Sequence, residues 1–163
     1  MQYAVIAVLI VIAVFIYKRS LRPKEKYPYH KKPLLTDREY SFYGMLRPLV
    51  RGTGLDILAK IRLADLLEVD EGLAEGEWGR YFGKIKAKHI DFAVVKDMKV
   101  LFLIELDDST HQREDRAERD RFVDNALSAA GYELIRTYGE LDDISRRLSE
   151  LGYRTAFRKN RQI

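Results

Sequence analysis

Three carboxylates lie within two apolar segments near the middle of the chain. Asp91 belongs to the segment 88–95, whereas Glu105 and Asp107 end the segment that begins at Val100. Side chains two residues apart on a strand share a face, so Glu105 and Asp107 should point the same way. Ionised carboxylates leave water only when something pairs with them. Three acids brought together in this way are typical of an oxygen-ligand site for Mg²⁺ or Mn²⁺.

The two segments that carry these acids read as a β-hairpin. Both are rich in β-branched and aromatic residues, and only the short polar break at residues 96–99 separates them. Both are also apolar on both faces, which is typical of strands that are covered on two sides. We therefore expect the two strands to be central in their sheet.

This order of acids resembles a known metal site. An Asp, a hairpin turn and then Glu-x-Asp at the end of an apolar strand resemble the site of the PD-(D/E)XK nuclease superfamily. Over roughly residues 27–138 the chain also resembles the bacterial family catalogued as domain of unknown function 2726. The matching motifs are LTDRE (35–39), IRLADLL (61–67), HIDF (89–92), IELDDSTH (104–111), DR (120–121) and AAG (129–131).

The resemblance implies a fold of the α/β (α+β) class. It would have the restriction-endonuclease-like αβββαβ core, with a central mixed sheet flanked by helices. It also implies that Asp91 and Glu105 hold the divalent ion together with the backbone carbonyl of residue 106. A metal in such a site lowers the pKa of a bound water and stabilises charge on the cleaved phosphate.

The chain departs from the superfamily pattern at one position. The superfamily usually has a Lys two residues after the Glu, and here that position is Asp107. A similar Glu-x-Asp followed by a His occurs in the branch that resembles very-short-patch repair endonucleases. Asp107 would then be a further ligand, and His111 would complete the catalytic set as an acid or base. Alternatively, His111 caps the next helix or bonds Asp107.

A helix should begin inside the LTDRE motif, directly after Thr36. Thr36 followed by Glu39 three residues later is a capping box, and an apolar stripe continues the helix until it ends by Gly52. Glu39 has two interpretations. It caps the backbone of Thr36, or, as the resemblance implies, it adds a fourth carboxylate to the metal site.

The remaining elements follow from periodicity and turn signals. Residues 71–86 hold four glycines and the single tryptophan, and they read as a long connection with one aromatic anchor, or as a mobile lid. The other predicted elements are a strand at 55–61, a helical turn at 63–67, a helix at 114–130, a strand at 132–138, a helix at 141–151 and a short last strand at 154–157.

Basic residues on both sides of the hairpin are the candidates for contacts with nucleic acid phosphates. Lys88 and the basic helix residues could also supply the positive charge that Asp107 does not. For the connection before the hairpin, a solvated basic loop is the alternative. The candidates are Lys86, Lys88, Arg113, Arg116 and Arg121.

The overall positive charge of the chain comes from its first part. The net charge is +4, but seven Lys and Arg against one Glu put +6 before Pro33, so residues 33–163 carry −2. An acidic domain is not expected to grip long duplex DNA by charge alone. The absence of cysteine excludes disulfides and thiolate metal sites.

The chain begins with an apolar run at residues 3–17, flanked by Lys18 and Arg19. We interpret it as an uncleaved single-pass anchor; a signal peptide and a buried helix are the alternatives. The positive-inside rule then places the N-terminus outside and the rest in the cytoplasm, at the cell inner membrane. The predicted organisation is an anchor at 1–18, a basic juxtamembrane linker at 19–34, a nuclease-like domain at 35–157 and a basic tail at 158–163.

The sequence therefore predicts a membrane-tethered, divalent-metal-dependent nuclease-like domain that hydrolyses phosphodiester bonds in DNA or RNA. The alternative is a noncatalytic module with the same fold that binds nucleic acid or a protein. Asp107 at the usual lysine position and the acidic balance of the domain keep that alternative open.

Overall fold

A computed structural model describes residues 2–20, 27–107 and 114–154, and for residues 114–120 it describes the backbone alone. The chain divides into two units, residues 1–32 and residues 33–163. The predicted last strand at 154–157, apart from Arg154, and the predicted basic tail at 158–163 lie outside the described residues.

The first unit contains one apolar helix, α1, at Gln2–Ser20. Its mean hydropathy is 1.9, and its side chains are exposed along the whole length. Nineteen residues at 1.5 Å each span about 28 Å, which is close to the thickness of a hydrocarbon core. By length and composition, α1 can cross a membrane.

The second unit opens with helix α2 at Asp37–Val50, and its predicted capping box is confirmed. The Thr36 hydroxyl accepts a hydrogen bond from the Glu39 N–H at 3.3 Å, and Glu39 Oε2 accepts one from the Thr36 N–H at 2.9 Å. These bonds satisfy N–H groups that the first turn leaves without helical partners. Phe42, Leu46 and Leu49 form the buried face of α2.

Four strands form one mixed sheet in the order β1-β2-β3-β4. The strands are β1 at Asp56–Arg62, β2 at His89–Lys96, β3 at Lys99–Leu106 and β4 at Leu134–Thr137. The first three are antiparallel neighbours, and β4 joins β3 in parallel. Both strands of the predicted hairpin are therefore central, as expected. Asp97 and Met98 turn the hairpin with left-handed φ angles of 49° and 62°.

Helices cover both faces of the sheet. After β1 come a short 3₁₀ turn at Leu63–Asp65 and helix α3 at Glu77–Ile85; α4 at Glu114–Ala129 and α5 at Asp142–Glu150 flank β4 in sequence. The α+β class and the mixed sheet are thus confirmed. The order α2, β1, β2, β3, α4, β4, α5 is the predicted helix and strand order, with α3 added.

The core consists of two clusters on opposite faces of the sheet. Phe92 and Val94 of β2 pack in one cluster with α2 and α5 residues. Ala93 and Val95 pack in the other with α3 and α4 residues. This alternation is why β2 and β3 are apolar on both faces. The acids near the ends of β2 and β3 therefore lie beside an apolar core.

The prediction of a long connection at residues 71–86 is wrong for its second half. Residues Glu77–Ile85 form helix α3. Trp78, Phe82 and Ile85 stand four and three residues apart, which places them on one helical face, and the rings of Trp78 and Phe82 stack at 4.9 Å. Gly79 and Gly83 interrupt the helical pattern of apolar residues, so the sequence did not indicate a helix here. Trp78, the expected aromatic anchor, thus packs on Phe82 while its side chain stays half exposed.

Candidate functional site

Strand pairing brings Asp91 beside the end of β3. Phe92 pairs with Ile104, so continuing the antiparallel register places Asp91 next to Glu105. Asp91 Oδ2 accepts a hydrogen bond from the Leu106 N–H at 3.0 Å. The two acids that the sequence placed first in the site are therefore held close together by the hairpin.

Glu105 carries the most perturbed carboxylate in the described part of the chain. Its Oε2 atom is buried and accepts no hydrogen bond from any described residue. Removal from water raises the pKa of Glu105, the charge of Asp91 raises it further, and nearby Arg136 opposes the rise; the result is a pKa of about 7. The side chain thus keeps its proton to a higher pH than an ordinary carboxyl group, and its Oε2 atom has no hydrogen-bond partner among the described residues.

Lys60 of β1 occupies the other side of Asp91. Its Nζ lies 2.8 Å from Asp91 Oδ1 and 2.6 Å from Glu39 Oε1. Burial alone would lower the pKa of Lys60, but the hydrogen bonds to Asp91 and Glu39 raise it above its usual value. The predicted site did not include Lys60. Its signal in the sequence is a single cation inside the otherwise apolar run Leu58-Ala-Lys-Ile61.

Glu39 combines the two roles that the sequence left open. Its Oε2 completes the capping box of α2, and its Oε1 binds Lys60. Burial raises the pKa of Glu39, and its hydrogen bonds to Lys60 and Thr36 overcome that effect and lower the pKa below its usual value. Glu39 is therefore ionised at neutral pH, and it reaches Asp91 through the ammonium group of Lys60.

Asp107 is paired with an arginine. Its Oδ1 lies 2.8 Å from Nη1 of Arg136, whose Nη2 also binds Asp124 at 2.9 Å. In the parallel register Arg136 stands opposite Glu105, and the positive charge of its guanidinium lowers the pKa of that carboxyl group. The Asp107 carbonyl accepts a further hydrogen bond from Arg38 of α2. Arg136 and Arg38 were also absent from the predicted site.

Two cations of the protein itself, Lys60 and Arg136, form ion pairs with three of the predicted metal ligands. Glu39 and Asp91 share Lys60, Asp107 binds Arg136, and Glu105 lies between the two pairs. Among the described residues, no three His, Cys, Asp or Glu side chains are grouped as a metal would require. Assignment of Asp91, Glu105, Asp107 and Glu39 as metal ligands therefore stays a prediction.

The remaining predicted residues lie around this site or outside the described residues. Lys86 is exposed at the C-terminus of α3, the Lys88 carbonyl accepts a hydrogen bond from Leu63, and Arg121 is exposed on α4. His111 and Arg113 fall outside the residues that the structure describes, and only the backbone of Arg116 is described. The predicted roles of these residues therefore stay predictions.

A cavity of about 600 Å³ lies away from the acids. It is bounded by the segment 67–73, by α3 and by α4, with Leu67, Val69, Tyr81 and Phe122 in its walls. None of the acids at the sheet end lines it. We therefore centre the candidate site on Glu105 and its neighbours.

A family model described as "Protein of unknown function (DUF2726)" matches residues 31–151, which is most of the chain. The match includes Glu39, Lys60, Asp91, Glu105 and Arg136. No curated protein and no solved structure matches the chain significantly.

Proposed function

The chain belongs to the DUF2726 family, and we propose that it is a divalent-metal-dependent, nuclease-like protein that hydrolyses phosphodiester bonds in nucleic acid. One observation carries the proposal. The Glu105 carboxylate is buried beside a second acid, Asp91, and its Oε2 atom has no partner among the described residues. An unpaired carboxylate oxygen next to another carboxylate fits a cation that is not a protein side chain.

The donor set fits Mg²⁺ or Mn²⁺ through two carboxylates. Both are hard cations that take oxygen ligands, and Mg²⁺ is commonly bound by one or two carboxylates while keeping several waters. Asp91 and Glu105 would hold the ion, with the backbone carbonyl of residue 106. The predicted further ligands Glu39 and Asp107 fit less well, because Lys60 and Arg136 occupy them.

Each residue of the site would contribute in its own way. When bound, the divalent ion activates water and neutralises charge that develops on the phosphate. The Leu106 N–H fixes the orientation of Asp91, and Arg136 neutralises Asp107. Arg136 also places a positive charge beside Asp107 and Glu105. His111, which lies outside the described residues, remains the proposed acid or base.

Nucleic acid and membrane are the proposed partners. Lys86, Lys88, Arg113, Arg116 and Arg121 are the proposed phosphate contacts, supplied from both sides of the hairpin. Helix α1 is proposed as a single-pass anchor in the cell inner membrane, with its N-terminus outside and the nuclease-like domain in the cytoplasm. Lys18 and Arg19 at the end of α1 support that orientation.

A noncatalytic binding module is the second candidate. It is favoured by the ion pairs of Lys60 and Arg136, which neutralise acids that a working metal site needs. The net charge of −2 over residues 33–163 also argues against tight, nonspecific binding of long DNA. In that case the domain would bind without a metal.

A cleavage assay on the full chain separates the two candidates. The chain, purified in detergent, is incubated with labelled single- and double-stranded DNA and RNA in Mg²⁺, in Mn²⁺ or in a chelator. We expect metal-dependent cutting that is lost in both Asp91→Asn and Glu105→Gln. The matched control is Glu75→Gln, the same chemical change at an exposed position.

The other outcomes are equally clear. Cutting that survives both site substitutions identifies a contaminant and refutes the proposal. If the wild type leaves all four substrates intact but binds one of them in the chelator, the module is noncatalytic.

A further inference from the structure

Lys60 has a backbone conformation that a strand lysine does not normally adopt. Its φ is +56°, in the left-handed region, although it lies inside β1. The other non-glycine residues with positive φ in the described chain, Asp97 and Met98, form the hairpin turn, where such angles are ordinary. A strained residue persists when its surroundings fix it, and such residues cluster at functional sites.

The surroundings of Lys60 are two carboxylates from different elements. Ala59 pairs with Phe92 and Ile61 with Ile90, so Lys60 stands opposite Asp91, but the two residues do not form a regular pair in the ladder. Its ammonium group binds both Asp91 of β2 and Glu39 of α2. Each of the two acidic side chains is only 14% exposed, and Lys60 is 26% exposed. The lysine thus forms ion pairs with two carboxylates, and one of them, Asp91, is a proposed metal ligand.

Each oxygen of Asp91 already accepts one hydrogen bond. Oδ1 accepts from Lys60, and Oδ2 accepts from the Leu106 N–H. The bond from Leu106 belongs to the hairpin backbone, whereas the bond from Lys60 depends on a flexible side chain. A cation shared by Asp91 and Glu105 therefore competes with Lys60, because two positive charges at one carboxylate oxygen repel each other.

We propose that Lys60 is a resident counterion of the metal site, which releases Asp91 when a divalent ion binds and stays bound to Glu39. This inference rests on the proposed function, since that function makes Asp91 and Glu105 the metal ligands. Glu39 holds the ammonium group at 2.6 Å and keeps it beside the site after Asp91 is released. Lys60 is a positioning residue in this scheme, and it lowers the affinity of the empty site for metal.

The test is a titration of the full chain in detergent with Mn²⁺, followed by calorimetry. Lys60→Asn and Lys60→Gly remove the charge, and Asn and Gly both tolerate the left-handed backbone. Lys60→Arg keeps the charge. Arg62→Gln is the matched control, because Arg62 lies on the same strand but pairs with the exposed Asp65. Melting curves verify that each variant is folded.

We expect Lys60→Asn and Lys60→Gly to bind Mn²⁺ roughly tenfold more tightly than the wild type, because no charge pair has to be broken. Lys60→Arg and Arg62→Gln should stay within about twofold. If loss of Lys60 only damaged the site, affinity would fall. Unchanged or weaker binding in both neutral variants would therefore overturn the inference.

The outcome also separates this inference from the proposed function. Glu105→Gln should lose Mn²⁺ binding if the ion occupies the proposed site. No binding of Mn²⁺ to the wild type or to any Lys60 variant refutes the metal assignment and with it both proposals. Metal binding that tightens in the Lys60 variants without any cutting of nucleic acid supports the role of Lys60 and refutes hydrolysis alone.

Discussion

Replacing Glu105 by Gln should stabilise the protein above neutral pH in the absence of metal. The pKa of Glu105 is raised from 4.5 to about 7 by burial and by the charge of Asp91. Between these two values the folded chain keeps a proton that the unfolded chain has released. Stability contributed by this group therefore falls as the pH rises through that window. Gln is neutral at every pH and avoids the loss.

The pKa shift sets the size of the effect. A difference of about 2.5 pKa units at 1.36 kcal/mol each gives an upper limit of about 3 kcal/mol at pH 8. Burial of the new amide group offsets part of it, so we expect a gain of about 1–3 kcal/mol. For a chain of this size that corresponds to a rise in Tm of roughly 3–10 °C. At pH 5 the wild-type acid is itself protonated in the folded chain, so the stability advantage of Gln should disappear.

The assay is thermal unfolding of the full chain in detergent with a chelator, from pH 5 to pH 8.5. Fluorescence of Trp78, which stacks on Phe82 at the edge of one core cluster, reports the transition. Glu75→Gln, at an exposed position, corrects for the general loss of one carboxylate. Adding Mg²⁺ at pH 8 should raise the Tm of the wild type but not that of Glu105→Gln. If Glu105→Gln were less stable than the wild type at pH 8, or if the difference did not change with pH, Glu105 would not be the perturbed group.

Three further substitutions test the surroundings of the site. Phe92→Ala should lower the free energy of unfolding by about 3–5 kcal/mol in denaturant titrations, because Phe92 is fully buried against Phe42 and Tyr43; a loss below about 1 kcal/mol would contradict this packing. Met98→Gly should stabilise by about 0.5–1 kcal/mol in the same titrations, since Met98 has a φ of 62° in the hairpin turn and is exposed. Arg136→Gln removes the charge that opposes protonation of Glu105, so the pH at which the stability gain of Glu105→Gln over its parent levels off should move upward; a downward shift would refute the assigned role of Arg136.

The parts of the fold that could be predicted from the sequence depend on residues close together in the chain. The capping box of Thr36 and Glu39 joins positions three residues apart, and the hairpin joins two runs across a four-residue break. Both are therefore visible in one short window. The central position of β2 and β3 was also predictable, because each strand must bury two faces and its apolar residues do not alternate with polar ones.

The cations of the site could not be predicted in the same way. Lys60 is separated by 31 residues from Asp91, and Arg136 by 29 residues from Asp107. Which lysine or arginine meets which acid depends on strand register and on helix placement, and neither is encoded in local spacing. Helix α3 was missed for another reason. Gly79 and Gly83 lower its helix propensity, and packing of Phe82 and Ile85 on the sheet compensates for them.

The charge balance of the site links its stability to its proposed function. The four acids Glu39, Asp91, Glu105 and Asp107 meet two cations, Lys60 and Arg136. Arg136 also binds Asp124, so when these acids are ionised the cluster keeps a net negative charge, which a divalent ion would reduce. Without such an ion the chain keeps Glu105 partly protonated, and above pH 7 its ionised form costs stability. A domain that only binds a partner would be more stable with a neutral residue at 105, which favours the proposed metal binding over the noncatalytic alternative.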